Sequence, residues 1–522
     1  MLALVALIAI AGIGVSSPTP ARAAGTLNLA GPVYPPETLD PAQLRDLSGV
    51  VLMRQIYRGL MLYDDDLNPV PEVAESYALS DDGLTYDFVL RSNATFQDGT
   101  PITAQDVAYS LNRAVDPDTV EGDTSLLGGP AFLSDIAGFE DVYSNATDEM
   151  SGIEVKSDSE LAITLSHPQA TFLMKLASVP ASIVSQAQVT SDSTWWASPV
   201  GSGPFKVDEW DPLNSLTLTA YSDFFLGAPS IDEINFRLGA SALQSFNLYQ
   251  ADEIDIDSIS LTDIDRVADP DGAYVDQLKV TPQFKLGYIA LNSNIEPLDD
   301  PYVRAALQLI FPRDDFANIA FNGWVNTANG MIPTQMLNRA WTDQLPPWSV
   351  DAAKAALAKS RYGSAENVPP IRIYAAGAFA SVVLQEMAQN ELGLTIEVLD
   401  VQWEDMLNRL NAGDIPAYEL YWAADYPDPA GIVGALFGTD MPDNYIGYSN
   451  SEVDDLLQQA AAETDVDARA LIYEQINALI CADNVVIPTY FDVEYTVVKP
   501  YVENLVVTPM GIIRLETVRI AD

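Results

Sequence analysis

The sequence predicts an α/β protein of two or three domains, and three observations carry that prediction. With 522 residues the chain is too long for one ordinary core. Hydrophobic residues make up 48% and aromatic residues 9%, ample material to bury. Segments alternating at every second residue, as strands do, are interleaved along the chain with segments whose apolar residues recur at helical spacing.

The elements follow in order. MLALVALIAIAGIG is an apolar run too short for a comfortable membrane span, and Ala21 and Ala23 in VSSPTPARAAG make an A-x-A-like site. A signal peptide over 1–23, cut after Ala23, is the expectation, although the usual basic segment before the run is missing. No cysteine follows it, so a lipoprotein anchor is not expected; export into the periplasm is. GTLNLAGPVYPPETLDP reads as a strand entering a Pro-rich turn, and LSGVVLMRQIYRGLMLY as a helix. YALSDDGLTYDFVLRSNATFQDGT reads as a hairpin, with Asp-Gly turns at 82–83 and 98–99. Thr103 is a helix cap with Asp106 three residues later, and Val107, Leu111 and Ala114 share one face.

Strands are expected at SELAITLSHP, SLTLTAYSDFF, SIDEINFRLG, PIRIYAA and LTIEVLD. Helices are expected at DDPYVRAALQLIF (with Pro301 in the first turn), SVDAAKAALAKS and SNSEVDDLLQQAAAE. No internal repeat and no long low-complexity linker separates them, so domains must be joined by short crossovers.

The charge balance narrows the function. Lys+Arg number 25 against Asp+Glu 74, for a net charge of -49, while only 19% of residues are charged. The imbalance reflects missing basic residues, and a field of that sign repels phosphate backbones, which excludes nucleic acid as a partner. Cys481 and His167 are each the sole residue of their type. Neither an intrachain disulfide, a Cys/His metal site nor a Cys/His catalytic pair has the raw material. Cys481, in INALICADN, reads as a buried inert thiol, and His167 as a turn residue. No G-x-S-x-G elbow, Walker loop or dinucleotide motif is present, and GSGPF at 201–205 reads as a tight turn. Neither an enzyme nor a cofactor is expected.

Residues 403–437 point instead to binding. Trp403, Tyr418, Tyr421, Trp422 and Tyr426 gather around Asp425 and Asp428. Aromatic walls with a few fixed polar groups suit a small-ligand pocket, and a carboxylate among them suits an ammonium group. The spacing alone leaves a second reading open, an aromatic core strand followed by a Pro-bounded loop with solvated aspartates.

Four stretches decide what the chain resembles. They are 57–117, YRGLMLYDDDLNPVPEVAESYALSDDGLTYDFVLRSNATFQDGTPITAQDVAYSLNRAVDP, then SPVGSGPFKVDEW, IALNSNIEPLDDPYVRAAL and YWAADYPDP. In this order they resemble the extracytoplasmic solute-binding proteins of family 5, the oligopeptide-, dipeptide- and nickel-type receptors of ABC importers. The resemblance covers essentially the whole mature chain. It implies a periplasmic-binding-protein-like fold with two lobes around a ligand cleft plus an additional smaller α+β domain. Lobe I would combine 24–56, 186–282 and 493–522, the additional domain would be 57–185, and lobe II 283–492.

It also implies a monomeric receptor that captures di- or oligopeptides and delivers them, by lobe closure, to permease subunits in the inner membrane. Asp425 would pair with the peptide ammonium, and the main chain of Tyr421, Trp422 and Ala423 would bond the peptide backbone. Trp403, Trp422, Tyr426 and Tyr109 would line the cleft. Where some peptide-binding relatives carry an arginine for a peptide carboxylate, this chain has Glu419, and the nearest upstream basic residue is Arg409. Oligosaccharides, opines and metal chelates are the alternative solutes, and a secreted hydrolase is the reading from another class.

Overall fold

A computed structural model describes residues 25–44 and 49–521. The expected signal peptide, with Ala21 and Ala23, lies outside the described residues.

Most elements form where their local chemistry directs. Thr103 Oγ1 accepts from the Asp106 amide at 3.3 Å while Asp106 Oδ2 accepts from the Thr103 amide at 3.0 Å, a reciprocal cap that starts the Ala104–Arg113 helix. Asp300 caps Pro301–Ile310, Ser349 caps Val350–Lys359 and Asn450 caps Ser451–Ala462. The hairpin Ala74–Leu79/Thr85–Leu90 turns at Gly83, whose φ is +73°. With Glu160–Thr164 and Ile153–Ser157 it makes a four-stranded antiparallel sheet.

One expected helix is cut short. Within LSGVVLMRQIYRGLMLY helix forms only over Val50–Ile56, and Met61–Tyr63 is a strand paired with Pro69–Pro71. Leu47 and Ser48, at the start of that stretch, lie outside the described residues. The break has a packing cause: a Cβ on Gly59 would sit 3.2 Å from the Leu176 carbonyl and 3.3 Å from that of Ala181. GSGPF serves the same junction. A Cβ at Gly201 would stand 2.1 Å from the Ile56 carbonyl oxygen, so the glycines allow backbone to lie on the helix end.

The large sheet has eleven strands among the described residues. Its order is Ile396–Asp400, Ile371–Ala375, Ala417–Ala423, Leu278–Leu291, Val486–Val498, Ile256–Ser258, Thr26–Ala30, Glu233–Arg237, Ser215–Ala220, Phe205–Asp211, with Asn326–Thr327 also on Val486–Val498. Two long antiparallel strands, Leu278–Leu291 and Val486–Val498, form its spine. Residues 278–282 pair with 493–497, residues 286–290 pair with 486–491, and the register slips in between. One group of strands attaches at each end of this spine. The Ala417–Ala423 group joins residues 285–291, and the Ile256–Ser258 group joins residues 496–498. The chain is thus α/β, with two lobes and an additional smaller domain.

Separate apolar cores sit under the two groups. One gathers Leu307, Phe311, Ile373 and Leu384; the other gathers Leu29, Phe205, Leu218 and Phe236. A third core runs continuously from the small sheet, through Phe88 and Phe172, to Ile432 and Tyr473. Buried ion pairs fasten distant segments together. Arg58 lies 2.7 Å from Glu72 and 3.1 Å from Glu516, joining the segment 58–72 to the helical turn Leu515–Thr517 near the end of the chain. Cys481 is buried, and burial pushes its thiol up to about 12, as expected of an inert cysteine. His167 follows the Glu160–Thr164 strand, exposed, with Nε2 3.4 Å from Asp135.

Candidate functional site

The strand Ala417–Ala423 organises the site. Its alternation places Tyr418, Leu420 and Trp422 on one face, against the large continuous core, and Ala417, Glu419, Tyr421 and Ala423 on the other. On one edge it pairs antiparallel with the spine, from Leu291↔Ala417 to Lys285↔Ala423. On the other edge Ile371–Ala375 pairs only at Tyr418 and Glu419. From Leu420 to Ala423 that second edge has no strand partner among the described residues.

Beyond the strand the chain turns sharply. The Ala424 amide donates to the Phe284 carbonyl at 2.9 Å, and Trp422 Nε1 donates to the Gly431 carbonyl at 2.8 Å, bracing the turn. The three aspartates that the sequence crowds together here have unlike surroundings. Asp428 is wholly buried, 3.1 Å from Arg469 Nε, and its other oxygen accepts from the Ala430 amide at 3.0 Å. It is a structural residue of the turn.

Asp425 is half-buried, and no hydrogen bond or ion pair holds its carboxylate among the described residues. Burial pushes its carboxyl up to about 7, the Asp443 carboxylate adds to the rise, and the Lys175 ammonium acts against it. Asp443 is itself raised by burial, opposed by a hydrogen bond from the Tyr445 hydroxyl at 3.1 Å. Lys175 is committed elsewhere, 2.7 Å from Asp135. Burial acts to raise Asp135, but His167 and Lys175 outweigh it and hold its carboxyl at about 2. Tyr426 is buried with its ring 5.5 Å from Lys175 Nζ. Among the described residues Asp425 is therefore a carboxylate without a counter-ion, set beside Tyr63 and Tyr426.

The remaining expected residues are not all brought together. Tyr421 is 70% exposed and lines a cleft of about 410 Å³. Ile259, Ser260, Leu261 and Ile264, which follow the Ile256–Ser258 strand, and Lys285, Gly287, Tyr490 and Asp492 of the spine form its other walls. Ala423 closes the strand opposite Lys285. Trp403 is 54% exposed at the start of the Trp403–Ala412 helix, just past the end of Ile396–Asp400. That is the carboxyl end of the parallel strands, the end at which Tyr421 emerges. Tyr109 lies elsewhere. Its ring packs on the core around Leu29 and Phe205, in a groove with Arg113, Asp116 and Trp195. The Ala104–Arg113 helix carries it to a junction that holds neither Asp425 nor Tyr421.

Glu419 has a definite task. Its carboxylate accepts from the amides of Phe379 (3.2 Å), Ala380 (2.8 Å) and Ser381 (2.8 Å) and from Ser381 Oγ (2.6 Å). It caps the N-terminus of the Ala380–Met387 helix. Arg409 pairs with Asp405 one turn away, at 3.0 Å. Sequence reasoning did not find Asp443, Lys175 or the cleft wall of Tyr490, Asp492 and Glu494. The wall had a partial signal, since FDVEY alternates apolar and polar residues with period two. Asp443 and Lys175 had none, because they reach Asp425 only through the fold.

Among the described residues no His/Cys/Asp/Glu group could hold a metal ion, and no helix is long and apolar enough to cross a membrane. Comparison with known proteins gives a consistent picture. The periplasmic oligopeptide-binding protein OppA of Escherichia coli (strain K12) is 25% identical over 487 residues, covering 89% of this chain and 87% of OppA. The dipeptide-binding protein DppE of Bacillus subtilis (strain 168) is 26% identical over 483 residues, 89% and 86% of the two chains. The structure of the Escherichia coli murein tripeptide-binding protein MppA superposes with a TM-score of 0.76 at 22% identity, over 95% of this chain and 98% of that one, a likeness of fold. The family model described as "Bacterial extracellular solute-binding proteins, family 5 Middle" matches residues 68–443. The chain belongs to the bacterial extracellular solute-binding proteins of family 5, which capture solutes and catalyse nothing.

Proposed function

We propose that this protein is the receptor of an ABC importer for peptides, held by their amino terminus at Asp425 and by their backbone along residues 421–423. One observation carries the reading: among the described residues, an unpaired strand edge leads directly into a half-buried carboxylate that has no counter-ion. An extended peptide adds to such an edge through main-chain hydrogen bonds, which read no side chains, and its ammonium completes the carboxylate. The relatives named for oligopeptides and dipeptides support the same choice of ligand.

In this reading lobe I is 24–56, 186–282 and 493–522, the additional domain 57–185, and lobe II 283–492. The two long strands carry the chain between the lobes, and the register slip between Pro282 and Leu286 is where they bend on closure. Closure requires that the ligand bind the closed form more tightly than the open one. Trp403, Trp422 and Tyr426 flank the ligand, whereas Tyr109 serves the junction of the small domain. The mature protein, cut after Ala23, works as a periplasmic monomer that docks on inner-membrane permease subunits, without nucleic acid or cofactor.

Native mass spectrometry of the freshly purified protein tests the ligand, and a ladder of peptide masses is expected. A single sugar mass would remove peptides from the reading. Incubation with a labelled peptide should return it intact, whereas cleavage products would make the protein a hydrolase.

A further inference from the structure

The cleft beside Tyr421 carries a charge pattern that the capture of a peptide amino terminus does not use. Its volume of about 410 Å³ falls within the range of small-ligand pockets, about 300–1,000 Å³. Three tyrosines, Tyr421, Tyr490 and Tyr495, supply its aromatic wall, and Asp492 and Glu494 supply carboxylates. The one cation on the wall among the described residues, Lys285, has its ammonium 3.7 Å from Asp492 Oδ2 and is matched to that residue. Among the described residues Glu494 takes only a hydroxyl partner, Ser258 Oγ. The pocket therefore retains one carboxylate without a cation.

The neighbouring surface cannot receive an anion either. The Ala380–Met387 helix would present its positive N-terminus there, but Glu419 fills that end with its own carboxylate. The filled end is continuous with the cleft wall. Phe379 packs on Phe321 at 5.0 Å between ring centroids, and Phe321 packs on Tyr490 at 4.8 Å.

We infer that this cleft is a subsite for a cationic side chain, lysine or arginine, of the bound peptide. The inference rests on the peptide-receptor reading above. An aliphatic stem lies along the tyrosine rings, and its charged head reaches Glu494 with a charge-assisted hydrogen bond. Lobe closure makes the preference strong. A carboxylate desolvated without a partner is costly, so a neutral side chain leaves Glu494 penalised and an acidic one adds repulsion.

The test uses the mature protein and alanine-based peptides of three, four and five residues with free amino termini. One position is varied as lysine, norleucine or glutamate, and affinities are read by calorimetry. At one position lysine should bind about ten- to a hundredfold more tightly than glutamate, with norleucine between them. Glu494→Gln should shrink the lysine-to-glutamate ratio, and Glu494→Lys should invert it, a gain that misfolding cannot mimic. If all three residues bind equally well at every position, or if Glu494→Lys keeps the wild-type order, the subsite is overturned while the receptor reading stands. If no peptide binds, the receptor reading fails and the subsite fails with it.

Discussion

If Asp425 anchors a peptide ammonium, binding must be coupled to its proton. In the free protein its carboxyl sits at about 7, raised by burial and by Asp443 against the pull of Lys175. The other titratable neighbours, Tyr63 and Tyr426, are themselves pushed upward by burial and stay neutral below pH 8. A bound ammonium favours the ionised carboxylate and lowers its pKa in the complex. The group therefore has its lower pKa in the bound state and its higher pKa in the free state. Affinity is then fully present above pH 7 and is lost as pH falls through 7 toward the bound-state value. For one proton the loss is about tenfold at pH 6 and about a hundredfold at pH 5. On the alkaline side the peptide's own amino group, with a pKa of about 7.7–8.0, begins to lose its charge. The optimum lies between these limits, near pH 7.5.

Calorimetry in buffers of different ionisation enthalpy reads both the affinity and the proton count, with about 0.3–0.4 of a proton released per peptide at pH 7, since the amine takes up part of what the carboxyl loses. Asp425→Asn should abolish the acid limb and weaken binding at pH 8 by roughly 3–5 kcal/mol, the cost of breaking one buried ion pair. An amino-acetylated peptide should show no acid limb with the wild-type protein. Constant wild-type affinity from pH 7.5 to 5 would refute the reasoning. So would an unchanged acid limb in Asp425→Asn, because the titrating group would then be another, with Asp443 the first suspect.

Three further predictions concern stability. A carboxyl raised in the folded state carries a cost above about pH 7 that fades as pH falls toward its ordinary value of 3.8; the empty Asp425→Asn protein should therefore melt higher than wild type at pH 8, by about 1–3 kcal/mol after allowance for partial exposure, with the gap closing by pH 4. Arg58→Ala leaves Glu72 and Glu516 buried without their shared cation and should cost about 3–5 kcal/mol in denaturant unfolding. Glu419→Ala uncaps the Ala380–Met387 helix and should cost about 1–2 kcal/mol, with sulfate restoring part of the loss in a thermal-shift assay.

Local chemistry made the short elements legible. The Thr103 cap, the turn at Gly83 and the acidic cap before Pro301 each need only a few neighbouring residues, and each formed where it was read. The two spine strands were legible only in fragments, such as the alternating FDVEY. Pro282 and Pro488 lie inside them, and proline within a run argues against a strand. The fold tolerates both because the ladder slips beside them, between Pro282 and Leu286 and at the Gly287/Tyr288 step opposite Pro488. The site divides in the same way. Asp425 and Tyr421 could be singled out from one nine-residue stretch, whereas Asp443 and Lys175 are made neighbours of Asp425 by tertiary contacts alone. Tyr109 shows the converse, since a residue assigned by analogy was carried by its helix to a different groove.

The acidic residues around the Ala417–Ala423 strand show how charge and closure become one property. Asp428 is matched by Arg469, Glu419 by a helix N-terminus and Asp492 by Lys285. Among the described residues Asp425 and Glu494 are left without cations. In the open state water screens these two and the cost of leaving them unmatched is moderate. Closure removes that water, so each becomes costly when unpaired and strongly attractive to a cation brought by the ligand. The same desolvation that opposes closure of the empty protein thus favours closure around a peptide with a free ammonium and a basic side chain. That difference in free energy between open and closed forms is what a ligand must supply to shift the equilibrium. Neutralising both residues together should therefore weaken binding and also let the empty protein close more readily, which small-angle scattering of ligand-free Asp425→Asn/Glu494→Gln would register as a smaller radius of gyration than wild type. An unchanged radius would separate charge matching from closure.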